Sequence, residues 1–206
     1  MDAIAHGVRE SSSRIGTWLR AHVRPAPAVP AVDAARLDAA ARELGLVLPG
    51  DLRAWWGLTG VSAGFWLPGE FAPTGLEEAL ETREIWLLVA EESAGEGAGE
   101  SASEGAVEET FLPGFMPIAL SPGGDGLLVD LRSGEWQGAV FLWDHERQGL
   151  GTPLWESVGS MLADIADALA SGTPALTWHE GLGGPENPVV ATVDESRELG
   201  WKPAWI

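Results

Sequence analysis

Residues 115–146 read FMPIALSPGGDGLLVDLRSGEWQGAVFLWDHE. Three apolar runs, 115–121, 127–131 and 139–145, carry Val, Ile, Leu and aromatic residues. Residues 122–126 and 132–135 separate them with Pro, Gly, Asp and Ser, the residues that supply turn conformations. This pattern predicts an antiparallel meander. Upstream, residues 37–60 read LDAAARELGLVLPGDLRAWWGLTG. Leu37, Ala40, Ala41 and Leu44 recur at helical spacing, and Gly45 is placed to end that helix in the left-handed conformation. Pro49 suits the first turn of a second helix, where no amide is needed. Leu52, Trp55 and Trp56 then share one buried stripe, and Gly57 and Gly60 stop the helix.

Further elements extend outward from these two segments. Residues 2–23 predict an amphipathic helix, with Ile4, Val8, Ile15, Trp18 and Leu19 near one face. That face packs on the rest of the chain, on a partner or on a membrane surface; Glu10 and three consecutive Ser weaken the last option. Residues 25–31 read as a stiff Pro-rich linker. Residues 65–67 predict a short strand. Thr74 and Glu77 form an S/T-x-x-E pattern that predicts a capping box opening a helix through about residue 90. Its apolar surface is Leu76, Leu80, Ile85, Leu87 and Leu88. Residues 91–109 hold seven Glu and no basic residue, which predicts a largely disordered loop inserted in the fold. A helix over 157–170 turns Val158, Met161, Leu162, Ile165 and Leu169 inward, with Asp164 and Asp167 facing out. Residues 189–193 suggest an edge strand. The organisation expected is an N-terminal helix over 1–24, the linker over 25–31 and an α+β domain over 32–206.

The 206 residues carry 31 acidic and 12 basic side chains, a net charge of −19. Residues 1–53 are near +1, so the remainder carries −20. Such a surface repels nucleic acid and anionic membrane and attracts basic partners. Solubility alone is a sufficient reading of the charge; steering toward a cationic protein is the sharper one. There is no Cys, which excludes disulfides and thiolate sites and suits the cytoplasm. No apolar run reaches the ~18 residues needed to cross a bilayer, and Arg9, Glu10, Arg14 and Arg20 break any secretory signal core.

Catalytic patterns are weak. The cluster at 123–126 lacks the Lys and Ser/Thr of a phosphate loop, and its Asp125 reads as a turn residue satisfying backbone amides. Asp130, Asp144, His145 and Glu146 could be drawn as a metal or acid–base cluster, yet Asp144 and His145 point to opposite faces of a strand. His6, His22, His145 and His179 have no His or Cys partner at ligand spacing. No metal, cofactor or catalytic residue is assigned. Of eleven Trp, three (Trp55, Trp66 and Trp86) read as core. Trp136, Trp143, Trp155, Trp178, Trp201 and Trp205 fall at turns, strand ends or the tail, as a lid over the core or an exposed aromatic patch.

In order and spacing these motifs resemble the SUKH superfamily, which includes a yeast cell-wall synthesis regulator and many bacterial toxin-immunity proteins. The resemblance covers roughly 33–171. It rests on the Leu48-Pro49 step with Trp55 and Trp56, on Pro117 and Ala119 before the turn at 123–126, on Asp130, and on Trp143-Asp144-His145 before the closing helix. It implies an α+β fold, helices packed on one side of a curved antiparallel sheet. It also implies a non-enzymatic protein-binding role, most often neutralisation of a toxin. Asp125, Asp130, Trp143, Asp144 and Glu146 are the candidate partner contacts, for a basic toxin domain. A cytoplasmic scaffold or regulatory adaptor is the alternative, and a carboxylate enzyme helped by His145 is a third reading. The oligomeric state is left open.

Overall fold

The computed structural model describes residues 3–96, 110–146, 149–176 and 188–205. In chain order these form α1 (Ala3–His22), α2 (Ala34–Leu44), α3 (Gly50–Trp56), β1 (Ala72–Pro73), α4 (Leu76–Glu96), β2 (Phe115–Leu120), β3 (Gly126–Asp130), β4 (Val140–Asp144), β5 (Gly149–Leu150), α5 (Val158–Ser171), β6 (Val189–Val193) and β7 (Leu199–Pro203). The sheet is open, antiparallel and ordered β1-β2-β3-β4-β5. The α+β class and the meander are as the sequence predicts. The register slips between Pro117 and Ala119, which suits a proline that has no amide for the ladder.

Alternation along the strands gives the sheet two apolar faces. Leu127, Val129 and Val140 enter the main core with α1, α2, α3 and α5. Leu128, Phe141 and Trp143 enter a second, aromatic core. Helix α4 serves both: Leu76 and Ala79 sit in the main core, while Trp86, Leu87 and Ala90 cover the second face.

Caps set the helix ends. Asp33 accepts the Arg36 amide at 2.8 Å, and Gly45 adopts φ 66° at the end of α2. Ser157 and Ser160 form a reciprocal capping box at α5. The capping box expected at Thr74 and Glu77 does not form. Glu77 instead takes two bonds from Arg36 (2.8 and 2.9 Å), and the buried Thr74 hydroxyl has no partner. A bidentate guanidinium outcompetes a neutral amide for a carboxylate, and it holds Glu77 below the usual carboxylate range. The bond joins α2 to α4.

Other expectations are corrected. Residues 65–67 do not make a sheet strand; Leu67 only bridges Phe71 across a tight turn with Gly69 and Glu70 at positive φ, and the edge strand is β1. Helix α4 runs on to Glu96, past the predicted end, so the start of the Glu-rich tract is helical. Residues 97–109, the rest of the loop expected at 91–109, lie outside the described residues. Asp164 does not face solvent. It is half-buried and accepts the Trp155 indole N–H at 2.9 Å and the Leu176 amide at 3.1 Å. Residues 189–193 do not extend the main sheet; β6 pairs with β7 in a separate hairpin.

The N-terminal helix is built into the fold. Val8, Ser11, Ile15 and Leu19 bury its face against α5 and α3. Arg14 pairs with Asp167 at 2.6 Å. Arg197, from the β6–β7 turn, donates to the carbonyls of Ala21, His22 and Val23 at 3.1–3.3 Å and so caps the C-terminus of α1. The Pro-rich linker is extended, and Val29 and Ala63 give it backbone bonds to residues 61 and 27.

Candidate functional site

The β2–β3 turn and the end of β4 meet at one end of the sheet. The Asp125 carboxylate accepts the His145 amide at 3.1 Å, and its Oδ1 lies 2.9 Å from His145 Nδ1. Its amide partner thus lies just beyond the end of β4, not within its own turn. Gly124 has φ 98°, and a Cβ there would stand 3.3 Å from the His145 ring, so this turn requires glycine. The hydrogen bond to Asp125 raises the His145 pKa from 6.5 and outweighs the opposing effect of desolvation; Asp125, Glu146 and Asp144 add Coulombic support.

The unfolded chain lacks this arrangement. The pair therefore stabilises the fold fully below the unfolded histidine value of 6.5, and that contribution is lost as pH rises through the higher folded value. Following the His145 ring protons by NMR, Asp125→Asn should move the midpoint down toward 6.5. An unchanged midpoint would show that Asp125 is not the cause.

Beside this pair runs a groove of about 230 Å³ between α4 and β4. Trp86, Phe111 and Trp143 form its bed, with ring centroids 5.4 to 6.2 Å apart. Gly126 makes room for it, because a Cβ there would lie 2.5 Å from the Trp86 ring. On the rim, Ile85 is 52% exposed and Val89 45%; Leu88, on the same helix, is exposed as well. Glu81, Glu84, Glu91 and Glu92 are exposed along the same helix.

Of the residues expected at the site, Asp125, Asp144 and Glu146 gather at this end. Glu146 is exposed; Asp144 is half-buried and accepts the Glu146 amide at 3.0 Å. Trp143 is 4% exposed and serves as groove floor. Asp130 lies at the far end of β3, 2% exposed, where the Arg132 guanidinium holds it at 2.8 Å and stacks over Phe115. Ile85, Leu88, Val89 and Phe111 were not singled out as site residues. The signal was the unbroken apolar run at 85–90, which is too wide for one core face of a helix. Of the outlying Trp, Trp155 is fully buried, Trp136 and Trp205 are exposed, and Trp178 lies outside the described residues.

The arrangement offers carboxylates around an apolar, aromatic bed, and one His–Asp pair. Among the described residues no group of three or more His, Asp or Glu is placed to hold a metal ion, and no helix is long and apolar enough to cross a membrane.

A comparison with curated proteins finds no match. The family model described as SMI1 / KNR4 family (SUKH-1) matches residues 31–164, from the end of the Pro-rich linker into α5. That span is more than half of the chain and contains both the His145–Asp125 pair and the groove. The chain belongs to the SMI1 / KNR4 family (SUKH-1).

Proposed function

We propose that the protein is a cytoplasmic, non-enzymatic immunity-type protein that neutralises a basic toxin by stoichiometric binding. The observation that carries this reading is the groove itself: an aromatic bed and apolar rim flanked by Asp125, Asp144, Glu146 and the α4 glutamates. Apolar centres with polar rims are the anatomy of protein interfaces, and buried aromatics supply most of their energy. The net charge of −19 steers a cationic partner toward such a surface. Family membership supports a protein-binding role. In the adaptor alternative, the N-terminal helix would be a docking segment, yet the apolar face of α1 is already occupied by α3 and α5.

The test is affinity capture from native lysate with elution by a salt gradient, then titration of the captured basic protein. Ile85→Glu with Val89→Glu should weaken binding by about 2–4 kcal/mol, mainly through faster dissociation. Asp144→Asn with Glu146→Gln should slow association and flatten its salt dependence. A partner bound equally well by both double variants would sink this reading.

A further inference from the structure

A second groove, of about 390 Å³, lies on the main-core side of the sheet between α1 and the segment that follows α3. Its volume is within the ~300–1,000 Å³ range of small-molecule sites. One wall is a stripe of α1: Arg9, Ser12, Ser13, Gly16 and Arg20 follow i, i+3, i+4, i+7 and i+11. This stripe adjoins the one that α1 buries. The other wall is apolar, from Trp55, Leu58, Val61 and Trp66, and Ile15 and Leu19 also face the space.

Three observations on the α1 wall point to an anion. Arg14, Arg36, Arg53 and Arg132 each hold a carboxylate. Arg9 and Arg20 hold none among the described residues; Arg24, Arg42, Arg83 and Arg197 also hold none, but of these six only Arg9 and Arg20 line this groove, and Arg20 bonds only the Thr17 hydroxyl, at 3.1 Å. Gly16 keeps the wall low: a Cβ there would stand 3.3 Å from Arg20 Nη1, so the guanidinium lies back over the helix at the groove. A glycine inside a helix costs about 1 kcal/mol relative to alanine, a cost that α1 packing does not explain. Finally, Ser12 is a half-buried groove-lining residue whose Oγ is covered and has no hydrogen-bond partner, so a rotation of its side chain toward the groove would give that hydroxyl an acceptor. An orphaned buried hydroxyl costs about 1–3 kcal/mol until something satisfies it.

We propose that this groove binds a small amphipathic anion, a molecule with an apolar body and one carboxylate, sulfonate or phosphate group. The body lies against Trp55, Leu58, Val61 and Trp66. The anionic group sits between Arg9 and Arg20, where a guanidinium gives charge-assisted bonds. Arg9 and Arg20 are the only charged side chains among the residues lining the groove, so an anion meets local positive charge here although the chain as a whole is acidic. This site is separate from the α4–β4 groove, and neither reading depends on the other.

The test uses 8-anilinonaphthalene-1-sulfonate as probe with the full chain, by calorimetry and fluorescence. N-phenyl-1-naphthylamine, the same ring system without the sulfonate, is the control. The expected result is saturable binding of one probe per chain, at least tenfold tighter than the control. Arg9→Gln with Arg20→Gln, both exposed positions, should weaken it at least tenfold with an unchanged melting temperature. Gly16→Leu, which fills the groove, should abolish it. The proposal is overturned by absence of saturable binding, by equal affinity for the neutral control, or by binding that survives loss of both arginines, as it would if the probe sat in the α4–β4 groove.

Discussion

Deleting residues 1–24 is expected to unfold the protein, although every residue matched by the family model is retained. The deletion removes α1, whose Val8, Ile15 and Leu19 are buried against α3 and α5. Each such side chain is worth about 1.5–3 kcal/mol, and the facing surfaces lose their cover as well. The Arg14–Asp167 pair and the Arg197 cap on α1 go with it. A loss of about 5 kcal/mol or more is comparable with the whole stability of a typical fold, ~5–15 kcal/mol. Circular dichroism melting should show no cooperative transition near that of the full chain. A shortened chain melting at the full-length midpoint would mean that α1 is an appendage. The same reasoning governs interaction experiments: loss of a partner after trimming this end reports folding before it reports docking.

Trp155→Ala should cost about 3–5 kcal/mol, the range for truncating a large core aromatic. Trp155 is fully buried between the sheet and α5, and its backbone pairs with Val140. Its indole N–H donates to Asp164, which also accepts the amide of Leu176, a buried residue held at φ 57°. Truncation therefore opens a cavity and takes one of two partners from a half-buried carboxylate. Trp155→Phe keeps most of the area and loses the donor, and should cost roughly 1–2 kcal/mol. Denaturant melts read both. An alanine variant within 1 kcal/mol of the parent would show that this corner of the core is not as tightly filled as its burial indicates.

Much of the fold was legible because it depends on local rules. The strand alternation at Val140, Phe141, Leu142 and Trp143, the glycine turn before Gly126 and the left-handed Gly45 are each decided by residues close in sequence. The candidate site was legible in part. Asp125, Asp144 and Glu146 do meet, because the hairpin turn and the end of β4 are neighbours in any such meander. Asp130 carries the same side chain four residues from the turn, at the opposite end of the strand, beneath Arg132. The aromatic groove was missed because Leu76, Leu80, Ile85, Leu87 and Leu88 read as one apolar surface, whereas α4 serves two cores in succession.

By itself the sequence determined the class of the fold, its glycine turns and the helix stop at Gly45, the acidic balance and the motifs that place the chain in its family. These follow from backbone preferences, side-chain period and composition, all of which act over a few residues. Only the tertiary structure decided which carboxylates are occupied. Asp51 is buried with its carboxylate on the Gly159 amide at 2.8 Å, Asp164 holds the Trp155 indole, Glu77 takes Arg36 in place of its cap, and Arg197 closes α1 from the other end of the chain. A carboxylate accepts whichever donor the packing brings within about 3 Å. That choice is set by helices and strands meeting across the chain, so no local pattern records it.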